Sequence, residues 1–409
     1  MILFRNCALF DGLDPRRREG MEVLVEGERI KEVSDAPIRA GAADTLDLGG
    51  RTLMPGLIDA HVHVMAADAD LGKLDAMPGS LVAQHARHAL EDALERGFTT
   101  VRDAGGADYG LAIAIDNGLI DGPRLFYAGR ALSQTGGHGD FRPYDGATAF
   151  CFCCQGGQGI SRIADGVTEV RRAARDELRR GAHQIKIMAS GGVASPSDPI
   201  WNLQYSEEEI RAVVWEARSW RAYVMAHAYT PEAIGRCIEY GVRSIEHANL
   251  IDDATARQCA EAGAFAVPTL ATFEALDRFG RDEGFPKASL EKLEVIREAG
   301  LASLEIMKRA GVKMGLGTDL LGRMQAHQSR EFAIRAEALS PAEILLSATS
   351  VNAELLQRTG ELGVVAAGAL ADLLVVDGDP LADISLLERP QATLAAIMKG
   401  GRFYRNRLS

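Results

Sequence analysis

Residues 56–64 read "GLIDAHVHV", an apolar run with two histidines, His61 and His63, near its end. The composition is typical of a strand buried on both faces, as strands of a parallel sheet are. Side chains two residues apart on a strand point the same way, so the two imidazoles are expected side by side. A metal-ligand pair and two ordinary polar histidines both fit this run, and the rest of the chain has to distinguish them.

Seven further short apolar runs follow before residue 360, separated by longer amphipathic stretches with helix signals. They are "FTTVRDAGG" (98–106), "RLFYAGR" (124–130), "QIKIMASGG" (184–192), "AYVMAHA" (222–228), "SIEHANLI" (244–251), "FAVPTL" (265–270) and "MGLGTDL" (314–320). Ser206 with Glu209, and Ser340 with Glu343, have the spacing of capping boxes. Eight strand–helix units predict an α/β fold in which parallel strands close into a (β/α)8 TIM barrel. An open doubly wound sheet is the alternative, but no Gly-rich phosphate turn follows the first run.

The two ends of the chain have a different pattern, with short strands and turn signals. Examples are "GMEVLVEGERIKEVS" (20–34) and "GVVAAGALADLLVVDGD" (363–379). The simplest interpretation is one small β-sandwich domain formed by both chain ends, residues 1–55 and 361–409. The barrel domain, residues 56–360, is then inserted between its two parts.

Composition limits the possible partners. The formal net charge of −12 argues against nucleic acid, whose phosphates attract basic surfaces. No apolar run approaches the roughly 20 residues that span a bilayer, so we expect no membrane partner. The first residues, "MILFRNCALFDG", lack the pattern of a signal peptide, which predicts a cytoplasmic protein.

The sequence has six cysteines, too few for a disulfide scaffold in a chain of 409 residues. Three of them, Cys151, Cys153 and Cys154, lie in "CFCC". This spacing is not that of a zinc knuckle, and no fourth ligand is nearby. Reduced loop thiols are the favoured interpretation over a structural metal site.

Catalytic groups of a (β/α)8 barrel stand at the C-terminal ends of its strands. Five of the predicted strands carry metal-ligand or nucleophilic side chains there: His61, His63, Lys186, His227, His247 and Asp319. Each of these residues alone could be an ordinary buried, hydrogen-bonded polar group. The prediction of a site therefore rests on their lying together at the same ends of the strands. Four imidazoles and a carboxylate suit Zn²⁺ or a similar divalent ion. Because five ligands exceed what one catalytic zinc needs, two ions fit better.

Lys186 is the unexpected member of this set, since an ammonium group would repel two dications. A carbamate formed with CO₂ (N6-carboxylysine) would instead be an anionic group with two oxygens that can bridge two ions. A Schiff-base lysine, as in barrel aldolases, is the alternative. The histidines argue against it.

With these residues in place, the chain resembles the amidohydrolase superfamily in its binuclear-metal branch. "MPGLIDAHVH" (54–63) and "GALADLLVVDGDP" (368–380) match as well. The resemblance implies His61, His63 and Asp319 on one ion, His227 and His247 on the other, and carboxylated Lys186 between them. A hydroxide bridging the ions would attack the substrate carbonyl, and Asp319 would pass its proton to the leaving nitrogen. The resemblance also implies a homo-oligomer.

Three segments narrow the resemblance to the imidazolonepropionase-related dipeptidases: "SQTGGHGD" (133–140), "IKIMASGG" (185–192) and "HAYT" (227–230). We expect His138 to donate a hydrogen bond to a substrate carbonyl oxygen, and Tyr229 to donate to a substrate carboxylate. Arg142 and Arg323 are candidate cations for that carboxylate. The alternatives are a solvated loop histidine, a packing tyrosine and two surface arginines.

The expected substrates are Xaa-Pro dipeptides and N-acyl-prolines, as for a prolidase. A dipeptidase for C-terminal Arg or Lys would need acidic side chains, and the predicted loops offer only Asp140 and Asp198, which turn chemistry explains. A cyclic-amide hydrolase such as an imidazolonepropionase, or a lactonase or organophosphate hydrolase, would use the same ions with another pocket. A non-catalytic barrel is the alternative from a different class, against which the intact ligand set argues.

Overall fold

The structure is a computed structural model that describes residues 1–142, 159–195, 198–285 and 287–408. Cys151, Cys153 and Cys154, together with most of the glycine-rich stretch around them, lie outside the described residues.

The strands, in chain order, fall into a group at each end of the chain and a larger group between them. They are β1 (Ile2–Leu9), β2 (Arg18–Glu26), β3 (Arg29–Ser34), β4 (Asp44–Asp47), β5 (Thr52–Pro55), β6 (Leu57–Val62), β7 (Phe98–Asp103), β8 (Arg124–Tyr127), β9 (Ala131–Ser133), β10 (Ser161–Ile163), β11 (Gln184–Met188), β12 (Tyr223–Ala228), β13 (Ser244–His247), β14 (Phe265–Val267), β15 (Lys313–Met314), β16 (Leu373–Val376), β17 (Leu394–Lys399) and β18 (Arg402–Asn406).

The α-helices lie mainly between the parallel strands. They are α1 (Gly79–Glu95), α2 (Tyr109–Asp116), α3 (Gly166–Arg179), α4 (Glu207–Ser219), α5 (Pro231–Glu239), α6 (Asp253–Glu261), α7 (Leu270–Phe279), α8 (Lys287–Ala310), α9 (Arg330–Arg335), α10 (Pro341–Ser347), α11 (Ser350–Leu355) and α12 (Pro390–Thr393). Short 3-10 helices span Leu71–Ala76, Gly322–His327 and Ile384–Glu388. Both predicted capping boxes are confirmed: Ser206 caps α4 with Glu209, and Ser340 caps α10 with Glu343.

One mixed sheet contains strands from both ends of the chain. Its order is β18-β17-β16-β5-β1-β2-β3, and β4 pairs with β1. β5 runs parallel to β1 and antiparallel to β16, so the N-terminal and C-terminal strands meet at that pair. Phe4, Val23, Leu53 and Val375 belong to a buried apolar cluster of this sheet. The two chain ends therefore build one sheet with a core of its own.

The middle of the chain forms two parallel sheets, ordered β6-β7-β8 and β10-β9-β11-β12-β13-β14-β15. Backbone hydrogen bonds connect them on both sides. Ala60 in β6 donates to Leu316 at 2.8 Å, and His183, just before β11, donates to Tyr127 in β8 at 2.9 Å. The result is a mixed α/β fold in which the C-terminal ends of β6, β11, β12 and β13 come together.

The predicted strand at 314–320 is wrong in its extent, because only Lys313–Met314 pairs as a strand. Residues 315–320 continue irregularly, and the amides of Thr318 and Asp319 both donate to the carbonyl of His61. Asp319 has a φ of 55°, which a strand does not allow. The stretch after the third predicted strand also contains two short strands, β9 and β10, which sequence analysis missed.

In the parts of the chain that the structure describes, there is no helix with both the length and the apolar character needed to cross a membrane.

Candidate metal centre

The six predicted ligand side chains lie on five neighbouring stretches of the parallel sheets. β6 and the residue after it carry His61 and His63, while Lys186, His227 and His247 lie in β11, β12 and β13. Asp319 follows β15. The ring centroids of His61 and His247 are 5.1 Å apart, and those of His227 and His247 are 4.7 Å apart.

Asp319 is the carboxylate on which this cluster converges. Its Oδ1 lies 3.4 Å from His61 Nε2 and 3.3 Å from His63 Nε2, while its Oδ2 lies 3.9 Å from His247 Nδ1. Burial alone would raise the pKa of Asp319, but the nearby imidazoles and Lys186 lower it below its usual value. The side chain is therefore a carboxylate at neutral pH. Donor atoms of His61, His247 and Asp319 all lie within 4.8 Å of one another.

Hydrogen bonds define which ring nitrogen of three histidines keeps a lone pair. His61 Nδ1 lies 2.7 Å from a carboxylate oxygen of Glu246, and His63 Nδ1 lies 2.9 Å from the carbonyl oxygen of Gly105. These oxygens only accept, so both Nδ1 atoms carry the proton and both Nε2 atoms are available as ligands. His227 is reversed, because its Nε2 lies 3.2 Å from the carbonyl oxygen of Gly191 and its lone pair is then on Nδ1.

A separate observation, made on His61, indicates that these donor atoms fit a divalent ion. His61 Nε2 is fully buried and has no hydrogen-bond partner among the described residues. A buried ring nitrogen without a partner is costly, and a metal ion is the partner that removes the cost. Neutral imidazoles and a carboxylate are ligands that Zn²⁺ prefers.

Lys186 is almost completely buried inside this cluster. Burial lowers the pKa of its ammonium group to about 8, although Glu246 and Asp319 act in the opposite direction. The neutral amine, which is the form that reacts with CO₂, is therefore much more populated near physiological pH than in an ordinary lysine, although the ammonium form still predominates.

The backbone is strained at two of the candidate ligands. Among the few non-glycine residues with positive φ are His247 at 74° and Asp319 at 55°, with Ala248 at 56°. Such conformations cost free energy in ordinary residues and concentrate at functional sites. His247 is the last residue of β13, and Asp319 lies five residues after the end of β15.

His138 is buried against the cluster, so the solvated loop histidine of the alternative interpretation is wrong. Its ring stacks on that of His227, with centroids 4.1 Å apart. Nδ1 lies 3.1 Å from Ser195 Oγ and 3.4 Å from an oxygen of Asp198, so these two side chains hold the Nδ1 edge of the ring. A Cβ on Gly192 would lie 2.2 Å from His138 Cε1, so this ring position requires glycine there.

Tyr229 is buried beside the same histidines, with its ring 4.7 Å from that of His227 and 5.4 Å from that of His247. Of the two candidate cations, Arg142 donates to Asp140 through Nε at 2.6 Å. Arg323 is exposed in the short helix Gly322–His327. Asp198 is not the turn residue expected from the sequence, because it is buried between His138, Gln204 and Lys292.

Sequence analysis missed the charged pair beneath His61. Glu246 and Arg102 are completely buried, and Arg102 Nη2 lies 2.9 Å from the Glu246 oxygen that accepts from His61. Burial would raise the pKa of Glu246, but Arg102 and His61 lower it to about 2. The sequence does carry a sign of this pair, because charged residues are rare inside apolar strands: Arg102 lies within "TTVRDAG" and Glu246 within "SIEHANL". Asp59 was missed too, although it accepts from Thr318 Oγ1 at 2.7 Å and fixes the Asp319 segment against β6.

A model of the Amidohydrolase family matches residues 52–403. The chain belongs to the amidohydrolase family. This confirms the family predicted from the sequence, and the match extends over both parallel sheets and into the chain-end sheet.

Two solved structures and one sequence relative are similar to most or all of the chain. A prolidase complexed with N-methylphosphonate-L-proline has a TM-score of 0.97 and 50% identity, with 99% of each chain covered. An Xaa-Pro dipeptidase with bound methionine in its active site has a TM-score of 0.89 and 29% identity, covering 99% of this chain and 100% of that one. Ochratoxinase from Aspergillus niger is 35% identical over 378 residues, which cover 86% of this chain and 75% of the relative.

Proposed function

We propose that this amidohydrolase is a metal-dependent dipeptidase that cleaves Xaa-Pro dipeptides and N-acyl-prolines. The observation that carries the proposal is the similarity to the prolidase complexed with a proline phosphonate, at 50% identity over 99% of the chain. The contacts of His138 and Tyr229 with the ring of His227 support it, because a small substrate bound at the candidate centre would lie close to both side chains.

The proposal assigns two divalent ions, most simply Zn²⁺, to the six side chains of the cluster. His61, His63 and Asp319 would hold one ion, His227 and His247 the other, and Lys186 would bridge both as a carbamate. Its buried amine, with a pKa lowered to about 8, supports carbamate formation. Bound ions of this kind lower the pKa of water and polarise a carbonyl oxygen.

Protein side chains transfer the proton and position the substrate. Asp319 accepts a proton from the attacking water at a carboxylate oxygen and delivers it to the leaving nitrogen, which an amide needs in order to depart. His138 donates to the carbonyl oxygen as negative charge develops there. Tyr229 donates to the carboxylate of the C-terminal residue, with Arg142 and Arg323 as candidate cations for the same group.

The proposal also includes the domain architecture, the partner, the cellular location and the oligomeric state. Residues 56–360 would form a closed (β/α)8 barrel that holds the site, and residues 1–55 and 361–409 a β-sandwich. The partner is a small dipeptide rather than nucleic acid or membrane, and the protein would act as a cytoplasmic homo-oligomer.

One observation favours a second substrate. The 35% identity to Aspergillus niger ochratoxinase makes ochratoxin a candidate. We rank Xaa-Pro dipeptides above ochratoxin because the chain is more nearly identical to the prolidase than to ochratoxinase.

The test is hydrolysis by Zn²⁺-loaded protein of a dipeptide panel whose C-terminal residue is Pro, Arg, Lys, Ala or Leu. An N-acyl-proline and ochratoxin are measured alongside. We expect the highest kcat/KM for the proline members. Cleavage confined to Arg and Lys dipeptides, or to ochratoxin, would replace the substrate and keep the metal centre. No cleavage by protein with full metal content would overturn the proposed activity.

A further inference from the structure

We propose that the buried Arg102–Glu246 pair is a positioning device that fixes the tautomer and orientation of His61 for metal binding. The inference rests on the metal centre of the proposed function. It assigns a role to two residues that lie one layer beneath the candidate ligands.

The contacts form a continuous chain from Arg102 to the ligand atom. Glu246 Oε2 lies 2.7 Å from His61 Nδ1 and 2.9 Å from Arg102 Nη2, and Arg102 Nη2 also lies 3.0 Å from Oε1. The hydroxyl of Ser244 donates to Oε1. His61 Nε2, on the far side of the ring, lies 3.4 Å from Asp319 Oδ1 and has no hydrogen-bond partner in the described part of the chain. A carboxylate that accepts from one ring nitrogen leaves the lone pair on the other.

Arg102 makes this carboxylate a fixed group. Its Nε donates to the carbonyl oxygen of Ala60, the residue that precedes His61, so one guanidinium holds both the strand and the carboxylate. Arg102, Glu246 and His61 are all 0% exposed. No solvent competes for these hydrogen bonds, and the low dielectric strengthens them. The geometry of His61 is therefore set before any ion binds.

Burying the charges of Arg102 and Glu246 costs free energy, and a positioning role would explain why both residues are present. A buried ion pair is often no more stabilising than apolar residues of the same volume. Its retention inside apolar strands is understandable if it provides orientation rather than stability. A carboxylate–histidine–metal arrangement does this in many metal sites, and its loss typically weakens binding or activity about 10- to 100-fold.

The experiment measures Zn²⁺ affinity by competition with a chelator, on the full-length protein and without substrate. The test variant is Glu246→Gln, which keeps the shape but lets an amide N–H face the ring or the guanidinium. The matched control is Glu216→Gln. Glu216 is also a buried carboxylate in an arginine pair, with Arg175 Nη2 at 2.8 Å, but it lies in α4, away from the histidine cluster. Far-UV circular dichroism and thermal melting are recorded for each protein.

We expect Glu246→Gln to bind Zn²⁺ about 10- to 100-fold more weakly while Glu216→Gln binds like the wild type. Wild-type affinity in Glu246→Gln would overturn the inference, and so would an equal loss in both variants. If Glu246→Gln does not fold, Arg102→Lys decides the question. It keeps the positive charge but cannot span Ala60 and Glu246, so wild-type affinity there would overturn the inference.

The results that contradict the proposed function differ from those that contradict this inference. They are a wild-type protein that binds no Zn²⁺, or one that binds Zn²⁺ and cleaves no substrate. In the second case the affinity comparison still decides the role of the pair.

Discussion

At the residue scale, His138 is a buried side chain in direct contact with the cluster of candidate ligands. Its ring stacks on His227, and its backbone amide donates to Gln204 at 2.8 Å. Ser195 and Asp198 occupy the side of Nδ1. The ring is thus held against one face and along its Nδ1 edge, and Nε2 is the nitrogen to which we assign the proposed hydrogen bond to the substrate.

We expect His138→Asn to lower kcat by about 100- to 1000-fold, the usual cost of removing one donor to a developing oxyanion. KM and Zn²⁺ content should change little, because the substitution removes no candidate ligand. Steady-state kinetics with an Xaa-Pro dipeptide and metal analysis check this. His88→Asn, at an exposed position in α1, is the control. An unchanged kcat in His138→Asn would remove His138 from the reaction.

Lys186→Ala should lose bound metal and lower activity by more than about 100-fold, because it removes the group that we propose bridges the ions. Short carboxylates such as formate or acetate should partly restore activity by supplying the missing oxygens. Metal analysis and a rescue titration measure both effects. If the variant keeps two ions per chain, Lys186 does not bridge them.

The residues that sequence analysis found are those whose spacing has a direct geometric meaning. The alternation in "HVH" places His61 and His63 on one side of a strand. His227 and His247 lie within the last two residues of β12 and β13, whereas Lys186 lies in the middle of β11 and Asp319 five residues after β15. Arg102 and Glu246 could not be assigned roles in this way, because they pair across 144 residues of sequence. Asp198 depends on burial within a loop. Long-range pairing is a property of the folded chain, and no local period encodes it.

At the element scale, the long helix α8 is tied to the loop that supports His138. Lys292 Nζ donates to the carbonyl oxygens of Gly192, Ser195 and Asp198, at 2.6, 2.8 and 2.9 Å. All three ammonium hydrogens are therefore used on the backbone that carries the partners of His138. The last predicted strand shows the opposite case: its apolar run lies at the right position, but only two residues pair as a strand, and the backbone then continues irregularly to the positive φ of Asp319.

We expect Lys292→Met to lower kcat/KM by about 10-fold without loss of metal, because the loop that orients His138 loses three charge-assisted hydrogen bonds. Lys292→Arg should recover part of the loss. Lys287→Met is the control on the same helix, since Lys287 is highly exposed and its ion-pair partner is Glu291 at 3.8 Å. Equal kinetics for both methionine variants would show that the clamp does not affect the site.

At the scale of the whole molecule, polar contacts join the chain-end sheet to the elements of the middle of the chain. Arg405 in β18 donates to the backbone carbonyl of Glu95 at the end of α1 at 3.1 Å, and also to its carboxylate. The amide of Gly56, at the start of the first parallel strand, donates to the carbonyl oxygen of Asp372. Sequence patterning predicted that the two ends belong together, but it could not predict these contacts, which depend on the docked arrangement.

Removing the metal should change the stability of the entire chain as well as its activity. The candidate ligands come from β6, β11, β12, β13 and the segment after β15, so bound ions connect strands distant in sequence. An ion that binds only the native state stabilises it by about 4 kcal/mol at 1,000 times its dissociation constant. We therefore expect dialysis against a chelator to abolish hydrolysis and to lower Tm by roughly 5 °C. Calorimetry with metal analysis before and after dialysis measures the change, and added Zn²⁺ should restore both properties. If metal-free protein keeps its Tm and its activity, the cluster of histidines is a structural network and the metal-dependent reaction has to be abandoned.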